Sequence, residues 1–179
     1  MPVMLLVSIL ALAAILVLLR LGSGWIKYRG KRVIQCPENQ RPAGVVVDAA
    51  HAAWTGFGKA PELRLSQCSR WPERAGCGQE CLLQIEASPE DCLVRNIIAK
   101  WYRGKSCTAC GQEIGEVDWA GSQPCLLTNS GTTLEWKQVP ADKLEETLSS
   151  AQAICFACHT ASTLVREHPE LATDRHRAV

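Results

Sequence analysis

Apolar residues are spread very unevenly along this chain. From Val3 to Leu19 they form an unbroken, uncharged run rich in Leu, Ile, Val and Ala, which reaches the lower length limit for crossing hydrocarbon as a helix. Arg20 can lift its charged end toward water and so extend the span to Leu21. Residues 1–21 are therefore expected to be a single transmembrane anchor. Trp25 and Tyr28 fall where interfacial aromatic residues sit, and Arg20, Lys27, Arg29, Lys31 and Arg32 form a basic cluster there, so residues 22–32 read as a basic juxtamembrane linker. A cleaved signal peptide would place its basic residues ahead of the apolar run and small residues behind it. Here only Met1-Pro2 precedes the run and Gly22-Ser23-Gly24 is a poor cleavage site, which favours the anchor.

Beyond the linker the pattern breaks into short pieces. Val33 to Cys36 and Gly44 to Val47 read as a hairpin across a polar, Pro-containing turn, Asp48 to Trp54 as a short helix, and Glu62 to Ser66 as a strand leading to Cys68. Ser88-Pro89-Glu90-Asp91 predicts a helix start, with Leu93, Ile97 and Trp101 on one face and Gly104 as the stop. Residues 33–105 thus read as a cysteine-rich N-terminal lobe. Within 106–168, strands are expected around Glu113 to Trp119, Cys125 to Thr128 and Thr132 to Val139, as a small meander. An amphipathic helix over Ala141 to Ser150 turns Leu144 and Leu148 inward, and a further helix follows the last cysteines. Residues 169–179 read as a charged tail. The fold class expected is α+β: one N-terminal transmembrane helix and a small cysteine-rich domain of short hairpins and helices organised around metal.

Charge narrows the functional classes. All nineteen Lys and Arg and all eighteen Asp and Glu lie from Arg20 onward, so the domain is nearly neutral at +1. A nucleic-acid binder would need a strongly basic face. Basic residues beside a span stay on the cytoplasmic side, which predicts a single-pass cell-membrane protein with its domain in the cytosol. Ten cysteines in 179 residues are then expected to be metal ligands rather than disulfides, because that compartment is reducing.

A tetrahedral site needs four ligands, and a CxxC pair supplies two from one turn. Cys107/Cys110 and Cys155/Cys158 are two such pairs, the first followed by Gly111 and β-like segments, the second opening a helix. This order resembles the treble-clef and zinc-ribbon families. In those families a knuckle CxxC precedes a hairpin, and in treble clefs the last two ligands sit on the first turn of a helix. The resemblance covers roughly Ser106 to Glu167 and implies a structural zinc on Cys107, Cys110, Cys155 and Cys158, with no particular partner. Cys155-Phe-Ala-Cys158-His159 is also the CxxCH motif by which c-type cytochromes attach haem. On that reading His159 ligates iron, His51, His168 or His176 supplies the second axial ligand, and the domain faces outward. An iron-sulfur cluster on the same thiolates is a further alternative.

Cys36, Cys68, Cys77 and Cys81 form the expected second site, whereas Cys92 and Cys125, on a helix face and in a strand-like run, read as core. A closed four-thiolate site holds shape and leaves no open position for water. The functional expectation is a membrane-anchored zinc protein with one or two sites, a structural or adaptor role and a membrane-associated protein partner. The alternative is electron transfer through haem or an iron-sulfur cluster. No set of residues announces a catalytic centre.

Overall fold

The computed structural model describes residues 2–74 and 76–171. They form two compact units that divide between Asn96 and Ile97, rather than at the end of the expected 33–105 lobe. The division runs through helix α5 (Val94–Tyr102). The tail from Ala172 onward, with His176, lies outside the described residues.

The N-terminal unit begins with α1 (Pro2–Tyr28). This helix is long and apolar enough to cross a membrane, and none of its apolar window is buried within the protein. It continues through most of the stretch expected as a linker, because Gly24 and Tyr28 have something to pack on. Gly24 approaches α2 (Ala49–Thr55) so closely that a Cβ there would lie 3.1 Å from Ala53 Cα. Tyr28 is buried in the core beside Ile34, Val45, Val47 and Ile85. The helix end is closed by a single side chain. The buried Arg32 guanidinium donates to Tyr28 O at 2.6 Å, Lys27 O at 2.7 Å and Gly30 O at 3.2 Å, satisfying carbonyls that the end of a helix leaves without partners. One member of the basic cluster therefore serves the fold from the inside.

A three-stranded antiparallel sheet follows, in the order β1 (Lys31–Gln35), β2 (Pro42–Val47), β3 (Leu65–Cys68). The expected hairpin is present, with Val33 opposite Gly44 and Gln35 opposite Pro42. β2 alternates Ala43, Val45 and Val47 inward, the period-two pattern of a half-buried strand. Asp48 caps α2 by accepting from His51 N at 2.9 Å. The third strand begins at Leu65, later than expected, since residues 61–64 form no ladder. α3 (Trp71–Arg74) and α4 (Leu82–Ala87) complete the unit. Cys77 and Cys81 both precede α4, Cys81 directly as its N-cap residue.

The helix expected from Ser88 is shorter than its start signal suggests. Ser88 ends α4 as its C-cap and α5 begins at Val94. Its deepest residues are Val94, Ile98 and Tyr102, one position along from the expected face. Trp101 and Tyr102 explain the rotation. Tyr102 can be fully buried because its hydroxyl donates to Cys125 O at 2.7 Å, whereas Trp101 stays half-buried with Nε1 bonded to Leu148 O at 3.0 Å. Gly104, at φ +70°, stops the helix as expected.

The C-terminal unit holds a second three-stranded antiparallel sheet, from β4 (Cys125–Leu127), β5 (Thr133–Leu134) and β6 (Gln152–Ile154) in the order β5-β4-β6. The expected strand at 113–119 is absent apart from an isolated bridge between Ser106 and Glu113. The chain after Leu134 winds into a 3-10 turn at Trp136–Gln138. The missing partner of β4 is instead β6, which follows α6 (Leu144–Ser150). Leu144 and Leu148 are buried as expected. β6 feeds directly into α7 (Phe156–Glu167), and this connection positions the site.

Candidate metal centre

Cys107 opens a tight turn. Its N–H donates to Gln112 O at 2.8 Å, and Gly111 N–H donates back to Cys107 O at 2.8 Å. Gly111 closes the loop at φ +74°, a conformation that strains any residue with a Cβ. The turn directs the N–H groups of Ala109 and Cys110 at the Cys107 sulfur. Thr108 N–H donates to Ala153 O at 2.9 Å, which staples this knuckle to β6. From β6 the chain passes into Cys155, the N-cap residue of α7, and Cys158 follows within the first helical turn. The Cys155 N–H is also near enough to the Cys107 sulfur to favour its ionised form.

As a result the sulfurs of Cys107, Cys110, Cys155 and Cys158 all lie within 4.8 Å of one another, with Cys110 and Cys155 at 3.9 Å. Four sulfurs bound tetrahedrally to zinc at about 2.3 Å stand about 3.8 Å apart, so the group could hold a metal ion with little movement. Cys107 is buried, Cys155 and Cys158 are half-buried, and Cys110 is exposed. Burial resists ionisation of Cys107, but the N–H groups of Cys155, Cys110 and Ala109 outweigh it and hold this thiol below its usual range. Cys158 is raised, because the sulfurs of Cys155 and Cys110 hold its proton in place. A metal would displace the protons of thiols already gathered around one point.

His159, the last residue of the CxxCH motif, is fastened elsewhere: its Nδ1 lies 2.8 Å from Thr133 Oγ1 on β5. Of the histidines considered as second axial ligands, His168 meets Glu170 at 3.1 Å, His51 lies on α2 in the other unit, and His176 is outside the described residues. Cys125 is buried on β4, where burial pushes its thiol up to about 11. Cys92 is half-buried and directs its S–H at Ser88 O, 3.4 Å away.

Cys36, Cys68, Cys77 and Cys81 all line one open cavity of about 580 Å³ in the N-terminal unit, and Cys92 does not. Burial, together with the neighbouring Cys68, Cys77 and Cys36, pushes the Cys81 thiol up to about 11. Among the described residues, only the C-terminal four bring all their sulfurs within 4.8 Å. Sequence reasoning missed the contacts that assemble that group, Thr108 N–H to Ala153 O and the Cys110 sulfur to the Cys155 sulfur. A strand of three residues, Gln152–Ile154, is too short to show alternation. No protein-family model, curated protein or solved structure matches this chain.

Proposed function

We propose that this chain is a single-pass membrane protein whose C-terminal unit is held together by a structural zinc ion on Cys107, Cys110, Cys155 and Cys158, and that it serves as an adaptor at the membrane. The observation that carries the metal reading is the convergence of four sulfurs from two segments to within 4.8 Å. Zinc fits this donor set because it accepts four thiolates in a closed tetrahedron and has no redox chemistry of its own. A covalently attached haem would need Cys155 and Cys158 to face a macrocycle, whereas here they face Cys107 and Cys110. An adaptor needs a surface for its partner, and α7 keeps Leu164 and Val165 exposed.

Two features support the anchor. The apolar window of α1 is wholly exposed, unlike the core helix of a soluble domain. Its last turn is built into the domain through Tyr28 and the Arg32 cap, which a cleaved signal peptide would not be. A groove of about 420 Å³ beside α1 is lined by Leu16, Val17 and Arg20 on one side and by Ala53, Phe57 and Pro61 on the other. Phe57 and Trp54 are 54% and 74% exposed, as suits residues at the level of lipid headgroups. The basic residues flanking the helix favour a cytosolic domain.

The test is metal analysis with an absorption spectrum on full-length protein purified in detergent. The expected result is bound zinc with no visible absorption, and loss of about one zinc equivalent in a Cys110→Ser/Cys158→Ser variant. A haem spectrum that survives denaturation, or stoichiometric iron, would overturn the zinc assignment and make the protein an electron carrier.

A further inference from the structure

The turn that presents Cys107 occurs a second time in the chain. At Cys36 the N–H donates to Arg41 O at 2.9 Å and Gln40 N–H returns to Cys36 O at 2.8 Å. Residue for residue, these are the bonds that Cys107 makes with Gln112 and Gly111. Gln40 stands at φ +55°, where the first turn has Gly111. The N–H groups of Glu38 and Asn39 point at the Cys36 sulfur, as those of Ala109 and Cys110 point at Cys107. The difference in ligands is at the fourth position, where Asn39 stands in place of a cysteine and its side-chain oxygen accepts from Arg41 N at 3.1 Å. The turn therefore offers one sulfur, and any others must come from other segments.

Three segments supply them. β3 runs antiparallel to β2 toward the hairpin end of the sheet and leaves it at Cys68. Cys81 precedes α4 as its N-cap residue, the placement Cys155 has before α7, and Cys77 lies in the loop before it. That loop and the helix after it are each fastened to the sheet by a glutamine side chain. Gln79 Oε1 accepts from Leu65 N at 2.8 Å. Gln84 on α4 accepts from the N–H of Gln35, the residue before Cys36, at 3.0 Å and donates its Nε2 to Gln35 O at 2.6 Å.

Gln40 and Gln79 are the two non-glycine residues with positive φ among those described, and both border this cavity's cysteines. Strain of that kind collects where a site demands it. Two donors complete the surroundings. Arg70 Nη1 donates to the Cys36 sulfur at 2.9 Å and to Glu38 at 3.1 Å. Trp71, also on the cavity wall, has its Nε1 shut off from solvent without an acceptor, a condition that calls for one.

We propose that the N-terminal unit binds its own Zn²⁺ on the thiolates of Cys36, Cys68, Cys77 and Cys81, with Cys36 presented by a zinc-knuckle turn that has lost its second cysteine. Arg70 offsets the excess negative charge of four thiolates, and closing around the ion contracts the cavity. All four of these cysteines belong to the N-terminal unit, and each site can fail without the other.

The experiment is alkylation mapping by mass spectrometry on native full-length protein, alongside zinc content. Cys77 and Cys110 are both exposed, and a free exposed thiol reacts readily, so metal protection should slow each by on the order of tenfold or more until chelator is added. Wild-type protein should hold roughly two zinc ions per chain, and Cys36→Ser/Cys81→Ser should remove one of them. Fast alkylation of Cys77 while Cys110 stays protected would overturn the second site and leave the first standing. Protection of Cys77 lifted by reductant but not by chelator would mean a disulfide and would overturn it as well. Protection of Cys77 with Cys110 freely alkylated would instead sink the C-terminal assignment and leave this one.

Discussion

The two units solve one problem with different materials. In the N-terminal unit the strands run to five, six and four residues, and β1 and β2 pair over five positions. In the C-terminal unit they run to three, two and three residues. Strands that short cannot hold a sheet by their ladder alone. It is in the unit with the short strands that the sulfurs already stand within bonding reach of one metal, while the longer sheet carries its cysteines around an open cavity. In the C-terminal unit a CxxC pair can substitute for strand length: two thiols arrive from one turn, and a bound ion would replace the missing ladder as the cross-link.

The largest expected effect separates the units directly. Metal binding to such sites contributes on the order of 10 kcal/mol to folding, so stripping zinc should abolish amide protection across β4, β6 and α7 together. The β1–β2 ladder should keep its protection, apart from the Cys36 to Arg41 turn. Hydrogen exchange with and without chelator reads this, and equal loss in both units would remove the distinction.

Next in size, Arg32→Ala should destabilise the N-terminal unit by roughly 3 kcal/mol, because it strands buried carbonyls at the end of α1. Urea unfolding followed at the N-terminal unit would show a lowered midpoint, and an unchanged midpoint would mean that water replaces the guanidinium. The smallest effects compare the two knuckles. Gly111→Ala should cost about 1 kcal/mol, since nothing lies within 4 Å of the added Cβ and the cost is that of the left-handed backbone alone. Gln40→Gly should stabilise by roughly 0.5 kcal/mol, the relieved strain less the entropy that glycine adds to the unfolded chain. Thermal melts of the two variants should move in opposite directions, and movement in the same direction would mean that the turns are not alike.

What the sequence made legible follows from how local each feature is. The apolar run, the hairpin at Val33 to Val47, the short helix after it, the Gly104 stop and the two CxxC pairs are each written within a few adjacent residues, and the structure has them. The third strand of the C-terminal sheet was misplaced to residues 113–119 because Gln152–Ile154 gains its conformation from pairing with β4, a contact no local pattern announces. The face of α5 was read one position off, since the hydroxyl bond to Cys125 O that lets Tyr102 go inward is also non-local. The knuckle at Cys36 was invisible for a chemical reason. Its two usual marks, a second cysteine and a glycine, are replaced by Asn39 and Gln40, and only the hydrogen bonds reveal the turn.

The Arg32 cap has a consequence for how the protein meets a bilayer. Between Tyr28 and Lys31 there are two residues, and the carbonyls on one side of that gap are bonded to a side chain from the other. A polypeptide joined in this way has no swivel. Each residue of a helix turns it by about 100° and advances it 1.5 Å, so the azimuth and height of the N-terminal sheet are locked in phase with α1. Where α1 crosses a membrane, its tilt becomes the tilt of that unit, and the same flank, the one bearing Trp54 and Phe57, always faces the lipid. The anchor then works as a mount with a fixed bearing, one that aims the protein as well as holding it.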